Sequence, residues 1–518
     1  MDMFIKISML VVFFAVMVGI GFYCRKHSTD VNGFVLGGRN VGPWLTAFAY
    51  GTSYFSAVVF VGYAGQFGWK YGIAATWAGI GNAFLGSLLA WYFLGRRTRI
   101  LTQHLNSATM PQFFEARFQS EKLKLAASAI IFVFLIPYTA SLYNGLSRLF
   151  AMAFNIDYSI CVIVMAVLTG LYVIAGGYMA TAINDFIQGI IMIFGIIAVI
   201  VAILKGQGGF SEALHALSQV TDPSVSETPG VFASLFGPDP KNLLGVVLLT
   251  SLGTWGLPQM VQKFYAIKNE KAINKGMVIS TVFALIVAGG CYFLGGFGRL
   301  FSDRVDVAKE GYDAIIPAML SDLSPILIAV VVILVLSASM STLSSLVLTS
   351  SSTLTLDFIK SKIVKNMKEK SQLLTMRILI VVFILISVVL AIVQYKSNVT
   401  FIAQLMGVSW GALAGAFLAP FLYGLYWKKV TTASVYVNFA FSTVVMILNV
   451  VAKPVFPAIL QSPINAGAFC MIAGLIIVPL VSAFTRKPSE EHLEKVFSCY
   501  NKKVTVSVTE AIGEDTEE

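Results

Sequence analysis

The feature that most constrains this chain is a succession of apolar stretches, each long enough to cross a bilayer, separated by mostly short polar connections. A transmembrane helix needs roughly 20 mostly apolar residues. Reading with that window gives about thirteen spans: 4–24, 43–68, 72–95, 123–154, 158–177, 182–204, 243–264, 272–299, 325–357, 374–396, 398–427, 430–451 and 466–485. Only 12% of residues are charged and 57% are hydrophobic, whereas soluble chains carry about 25% charged residues. The expectation is an all-α membrane protein; collagen, disorder and a disulfide scaffold are excluded. Span 4–24 has no small-residue cleavage site before Cys24-Arg25-Lys26, so it is expected to remain as an extra N-terminal helix.

The net charge of +10 sorts by loop. Arg25, Lys26 and Arg39 follow the first span; Arg96, Arg97, Arg99, Arg117, Lys122 and Lys124 follow the third; Lys360, Lys362, Lys365, Lys368 and Lys370 follow the ninth. Connections of the other parity hold few: Lys70, none in Asn155-Ile156-Asp157, then Lys205 and Lys241. Cytoplasmic loops collect lysine and arginine. The expectation is therefore a multi-pass plasma-membrane protein with its N-terminus outside and its C-terminus cytoplasmic, whose basic excess marks a membrane face and not nucleic-acid binding. The five cysteines lack paired spacing, and the four histidines lie in or beside polar connections, which argues against zinc or haem. Two larger connections, 205–242 and 300–324, are placed outside as candidate lids. The tail 486–518 ends in Glu514, Asp515, Glu517 and Glu518 and reads as solvated.

Lipid-facing helices have no use for clustered Gly, Pro, Ser and Thr, because freed backbone groups in hydrocarbon cost several kcal/mol each. Such clusters mark cavities or close packing. The second span contains Tyr50-Gly51-Thr52-Ser53-Tyr54-Phe55-Ser56, and the seventh contains Thr250-Ser251-Leu252-Gly253-Thr254-Trp255-Gly256-Leu257-Pro258. Each is a candidate broken helix. The two open successive blocks of five spans, and an odd number of spans inverts the second block. That is the layout of an inverted-repeat secondary transporter, in which breaks offer carbonyls to a cation and helix N-termini to an anionic group. Close helix packing is the alternative for either cluster alone.

The ninth span carries Ser337, Ser339, Ser341, Thr342, Ser344, Ser345, Thr349 and Ser350 to Thr353. At 100° per residue Ser341, Ser344 and Ser345 share a face with Thr342 beside it. Neutral oxygens and carbonyls suit a hard cation such as sodium. Hydroxyls bonding back to their own helix explain one or two of these residues, but poorly a whole face. Asp185 is among very few acids inside an apolar stretch; it reads either as a functional intramembrane carboxylate or as a first-turn cap of span 182–204.

Two further patterns bear on energy source and chemistry. Gly407-Val408-Ser409-Trp410-Gly411 matches a hydrolase nucleophile elbow, but it lies inside a span with no strand before it and no intramembrane histidine as base, so helix packing is expected. No G-x-x-x-x-G-K-[ST] occurs, leaving ion gradients or downhill flow as the energy source.

Taken together, Gly37-Gly38-Arg39, Met110-Pro111-Gln112-Phe113-Phe114-Glu115-Ala116-Arg117-Phe118, Gly176-Gly177 with Asp185 and Gln188, and Met340-Ser341-Thr342-Leu343-Ser344 resemble the sodium:solute symporter family over about residues 5–485. The resemblance implies a thirteen-helix form of the leucine-transporter-type 5+5 inverted repeat: helix 4–24, repeats 43–204 and 243–427, an external loop 205–242, two C-terminal helices in 430–485 and a cytoplasmic tail. It implies a non-enzymatic, sodium-coupled symporter. The main sodium site would use the carbonyls of Thr52, Phe55 and Ala338 with the hydroxyls of Ser341 and Thr342; Asp185, Ser344 and Ser345, with Ser341, match a second sodium site found in some members.

The implied solute is small and organic, an amino acid such as proline, with a sugar, sialic acid or monocarboxylate as alternatives and a sodium-independent uniporter or channel as the rival mechanism. The aspartate and tryptophan of the family's proline symporters fall at Tyr54 and Val58. The arginine of its sialic acid transporters falls at Tyr138, which matches a tyrosine of the proline branch. Ser56, Trp77, Tyr138, Thr250 and Trp255 are the candidate solute-cavity residues, with packing or interface roles as the alternative for Trp77 and Trp255. Expected partners are sodium, the solute and the lipid bilayer, in a monomer or loose oligomer.

Overall fold

The computed structural model describes residues 2–154, 156–397 and 402–501. Asn155, the first residues of span 398–427 and the acidic end of the tail lie outside the described residues. Among the described residues helices account for nearly all regular structure, with only two isolated β-bridges. Ten stretches are long and apolar enough to cross a membrane, or eleven if the bent pair Pro240–Gly256 and Pro258–Ala266 is one span. The difference from about thirteen arises where helical structure runs on: Val58–His104 and Tyr158–Gly206 continue for 47 and 49 residues. At about 1.5 Å per residue the longer exceeds twice the ~30 Å hydrocarbon thickness.

Glycine divides both. Gly72 has φ 61° and ψ −144°, and Gly177 has φ 55° and ψ −146°. That region of backbone space is essentially glycine-only. A Cβ on Gly177 would also meet the Phe34 side chain and carbonyl at 2.8 Å. The second half of Tyr158–Gly206 therefore starts at Tyr178, earlier than the expected 182. Asp185 lies two turns inside it, fully buried. Its reading as a first-turn cap is corrected accordingly.

Both expected breaks are present. The helix Pro43–Thr52 ends at Thr52, and helical structure resumes near Val58. Helix Pro240–Gly256 stops at extended Leu257 and turns by 45° into Pro258–Ala266. Pro258 occupies the first helical position, where a missing N–H does no harm. The serine-rich helix Pro325–Thr353 packs against Tyr158–Gly206 and Glu121–Phe154. Large apolar side chains such as Phe194, Val201, Leu385 and Val389 are exposed along the outer faces, as lipid contact requires. All five cysteines are buried, and among the described residues none forms a disulfide.

The Gly37-Gly38-Arg39 and Met110–Phe118 motifs have structural explanations. Gly37, Gly38 and Arg39 are all left-handed, at φ 57°, 69° and 57°, and Arg39 donates to the Ser107 carbonyl at 2.6 Å. Val41 pairs with Ala266 and Lys268 through hydrogen bonds of 3.1 Å, which ties the start of the first broken helix to the end of the second. Thr109 caps Met110–Phe118, and Thr109 and Gln112 donate to the buried Asp357 carboxylate at 2.7 and 2.8 Å. Arg117 donates to the carbonyls of Gly424 and Trp427 at 3.0 and 3.1 Å.

The connection 205–242 is fastened at two points. The Trp77 indole N–H donates to the Leu235 carbonyl at 2.8 Å. Arg299 donates to Asp222 at 2.9 Å and to the Trp69 carbonyl at 2.6 Å, with its guanidinium 3.8 Å over the Phe232 ring. A hydrogen bond from Ser224 and the Arg299 guanidinium hold the Asp222 carboxyl below its ordinary range. A depressed carboxylate contributes stability above its unfolded pKa and loses it as pH falls through the lowered value.

Two outcomes follow. Limited proteolysis of 220–237 should proceed at a constant rate from about pH 5 to 8 and accelerate in Asp222→Asn. Gly177→Ala should destabilise by about 1–3 kcal/mol from strain and overlap. Gly206→Ala, with open space around it, should be neutral or mildly stabilising; thermal unfolding of the purified proteins compares the two.

Candidate functional site

Where the first broken helix stops, carbonyls lose their helical donors. Those of Thr52 and Phe55 face the buried helix Pro325–Thr353. Ser341 Oγ lies 3.2 Å from the Thr52 carbonyl and 3.1 Å from that of Ala338. Thr342 Oγ1 lies 3.0 Å from Thr52, 3.2 Å from Phe55 and 3.1 Å from Ala338. Three carbonyl and two hydroxyl oxygens thus converge in one cluster, all from buried residues. A hard cation with metal–oxygen distances of about 2.3–2.6 Å sets neighbouring ligands about 3.2–3.7 Å apart at right angles. The cluster therefore reaches that spacing with a small expansion. Each hydroxyl has one proton to direct at these carbonyls. A bound cation would take up the lone pairs those bonds leave free.

The hydroxyl face divides below this cluster. Ser344 Oγ donates to the Ser341 carbonyl at 2.9 Å, the back-bonding expected of an intrahelical serine. Ser345 Oγ is 3.0 Å from Ser53 Oγ and accepts at 3.0 Å from Lys263 Nζ. That ammonium is also 3.8 Å from Asp185 Oδ2. Lys263 is a buried candidate residue that the sequence reading did not single out. The available signal was a lysine at the inner end of an apolar span just past Pro258. The 45° turn carries it into the protein, where it is buried.

The candidate solute residues fall into two groups. Ser56 sits in the first break, buried, and its Oγ accepts from the Val58 N–H at 3.2 Å, so it also caps the resumed helix. Tyr138 lies beside Ser56, with its ring 5.9 Å from that of Trp410 in an edge-to-face arrangement. The Tyr138 hydroxyl and Trp410 Nε1 are both buried and make no hydrogen bond. Trp410 is thus a second residue missed, hidden inside the elbow-like motif.

The others point elsewhere. Thr250 Oγ1 donates to the Val246 carbonyl at 2.9 Å, and Trp255 Nε1 to the Leu85 carbonyl at 2.8 Å, both on the side facing helical stretch 72–104. Trp77 is 39% exposed and fastens the connection 205–242. Its position and that of Trp255 match the packing alternative. Tyr54 and Val58 are buried next to the break.

With this geometry in place, the relationship to known proteins can be stated. Residues 34–437 match the Sodium:solute symporter family. The chain belongs to that family. It is 28% identical over 517 residues to Sodium/proline symporters of Staphylococcus aureus, among them those of strains JH9 and NCTC 8325, with 96% of each chain covered. Its fold resembles a substrate-bound, outward-open Na+-coupled sialic acid symporter, with a TM-score of 0.72 at 16% identity, covering 94% of this chain and 99% of that one. It also resembles the Eremococcus coleocola manganese transporter, with a TM-score of 0.50 at 12% identity, covering 86% and 95%. At those identities the likeness concerns the fold, a nearly all-helical membrane transporter. The family is one of transporters, and sodium-coupled symport of a small solute is this chain's function.

Ser409 donates to the Phe134 carbonyl inside the helical packing, consistent with the packing reading of its motif. Ser409→Ala should cost about 1 kcal/mol or less and leave uptake within about twofold. A serine-directed fluorophosphonate should not label the protein; stoichiometric labelling at Ser409 would contradict this.

Proposed function

We propose that the chain imports an amino acid such as proline together with sodium across the plasma membrane by alternating access. The observation that carries this reading is the convergence of Thr52, Phe55 and Ala338 carbonyls with the Ser341 and Thr342 hydroxyls. These atoms belong to two helices that a transport cycle moves relative to each other, so an ion bound by both sets couples its own binding to their arrangement. The solute is assigned to the adjacent space lined by Ser56, Tyr138 and Trp410, where a hydroxyl and an indole N–H are free to bond a small polar molecule. The Staphylococcus aureus sodium/proline relatives support proline as the first solute to try. Sugar, sialic acid and monocarboxylate remain the alternatives to be separated by assay.

The same reading assigns thirteen spans, with Tyr158–Gly206 crossing twice about Gly177 and the stretch up to His104 divided at Gly72. It assigns repeats 43–204 and 243–427, flanked by helix 4–24 and the pair in 430–485. The lysine and arginine asymmetry supports an external N-terminus and a cytoplasmic C-terminus. One sodium crossing about 100 mV supplies ~2.3 kcal/mol, enough for about fiftyfold solute accumulation.

Uptake of labelled amino acids, sugars, sialic acid and monocarboxylates into proteoliposomes tests this directly. Proline accumulation under an inward sodium gradient, absent with choline, is the expected result; equal accumulation without sodium would overturn it. Ser341→Ala and Thr342→Ala should each raise the sodium concentration for half-maximal uptake tenfold or more, with Thr342→Ser closer to the parent. Tyr138→Phe should raise the solute KM severalfold while shifting the sodium requirement less.

A further inference from the structure

Asp185 is a fully buried carboxylate that the five-oxygen cluster does not use. Neither of its oxygens accepts a hydrogen bond, and its nearest cation is the Lys263 ammonium, 3.8 Å from Oδ2. Lys263 is itself buried, donates to Ser345 Oγ at 3.0 Å and lies 5.1 Å from the centre of the Tyr178 ring. Ser345 is in turn 3.0 Å from Ser53 in the first break. An ammonium therefore sits between Asp185 and the Ser345 hydroxyl, among the residues whose types match a second sodium site.

A buried, ionised carboxylate with no cation beside it is strongly unfavourable, so Asp185 must be either protonated or accompanied by a positive charge throughout the cycle. A lysine supplies that charge without leaving the protein. It also works against a mobile ion, because two cations a few ångströms apart in a medium of low dielectric constant repel strongly. The remaining positive charge of the transport cycle is then left to the Thr52, Phe55, Ala338, Ser341 and Thr342 cluster.

We propose that Lys263 is a tethered cation standing in for a second sodium between Asp185 and Ser345, so that this chain binds and carries a single sodium ion per cycle. The inference rests on the proposed reading of the five-oxygen cluster as the sodium site. Asp185 stays neutralised whether the carrier is loaded or empty, and only the ion at the first break joins and leaves.

Equilibrium binding of radiolabelled sodium to the purified full-length protein, with no solute present, tests this. The parent should bind one sodium per chain with a hyperbolic isotherm, and Lys263→Arg should do the same. Lys263→Met, which leaves Asp185 without a cation, should bind two ions per chain. Lys263→Met combined with Asp185→Asn carries no uncompensated charge and should return to one ion, with a dissociation constant within about threefold of the parent. Two ions bound by the parent would overturn the inference, as would a monodisperse Lys263→Met protein that binds one. If Lys263→Met does not fold, the neutral pair decides: a sodium affinity weakened tenfold or more would make Asp185 a ligand of the transported ion and overturn the inference. A parent that binds no sodium would instead remove the underlying sodium-site reading. Two ions with Ser341 and Thr342 still required would leave that reading standing.

Discussion

The interruption of a helix inside the bilayer is the constraint on which the rest of this structure depends. Carbonyls released at such a break cannot be satisfied by lipid. At Thr52 and Phe55 they are met by hydroxyls of the Pro325–Thr353 helix. That requirement accounts for Ser341 and Thr342 in the latter, which is buried throughout from Val331 to Thr353. A bond between a neutral hydroxyl and a carbonyl is also one a cation can replace. The same arrangement thus offers a candidate set of oxygen ligands.

Close backbone approach holds the broken helices in place. A Cβ on Gly68 would fall 1.8 Å from the Gly295 carbonyl oxygen, and one on Gly295 would fall 2.1 Å from that of Ala64. The resumed half of the first broken helix is therefore seated directly on helix Glu270–Gly295. At the other end, the Val41 bridge and the Arg39 hydrogen bond to the Tyr265 carbonyl at 3.4 Å join the entry of the first broken helix to the exit of the second. Symport requires that ion binding at one element be felt by another, and backbone-to-backbone contacts transmit displacement with little slack.

Much of this was legible in the sequence because membrane burial makes polar residues conspicuous. The glycine, serine and threonine clusters located both breaks, and the 100° spacing of Ser341, Ser344 and Ser345 put the hydroxyls on one face. What stayed hidden depended on direction or on distant pairing. Ser341 and Thr342 turn toward the break, Ser344 bonds back to its own helix, and Ser345 faces Lys263; residue type alone does not separate them. The cap reading stood open beside the functional one for Asp185 because Gly177 starts the helix sooner than hydropathy suggests. Lys263 carries no sequence signal of its own burial, because only the turn at Leu257 brings it into the protein. Trp77 and Trp255 look alike as aromatic residues in apolar spans, yet each spends its indole N–H on a backbone carbonyl away from the break.

The central claim is that sodium replaces the hydroxyl–carbonyl bonds between the first break and the serine-rich helix. Cryo-electron microscopy of the protein in sodium and in choline addresses it most directly. The account predicts density within bonding distance of Thr52, Phe55, Ala338, Ser341 and Thr342 in sodium alone, with the five oxygens drawn around it. The same closed hydroxyl-to-carbonyl cluster in both conditions, with ion density elsewhere, would contradict it.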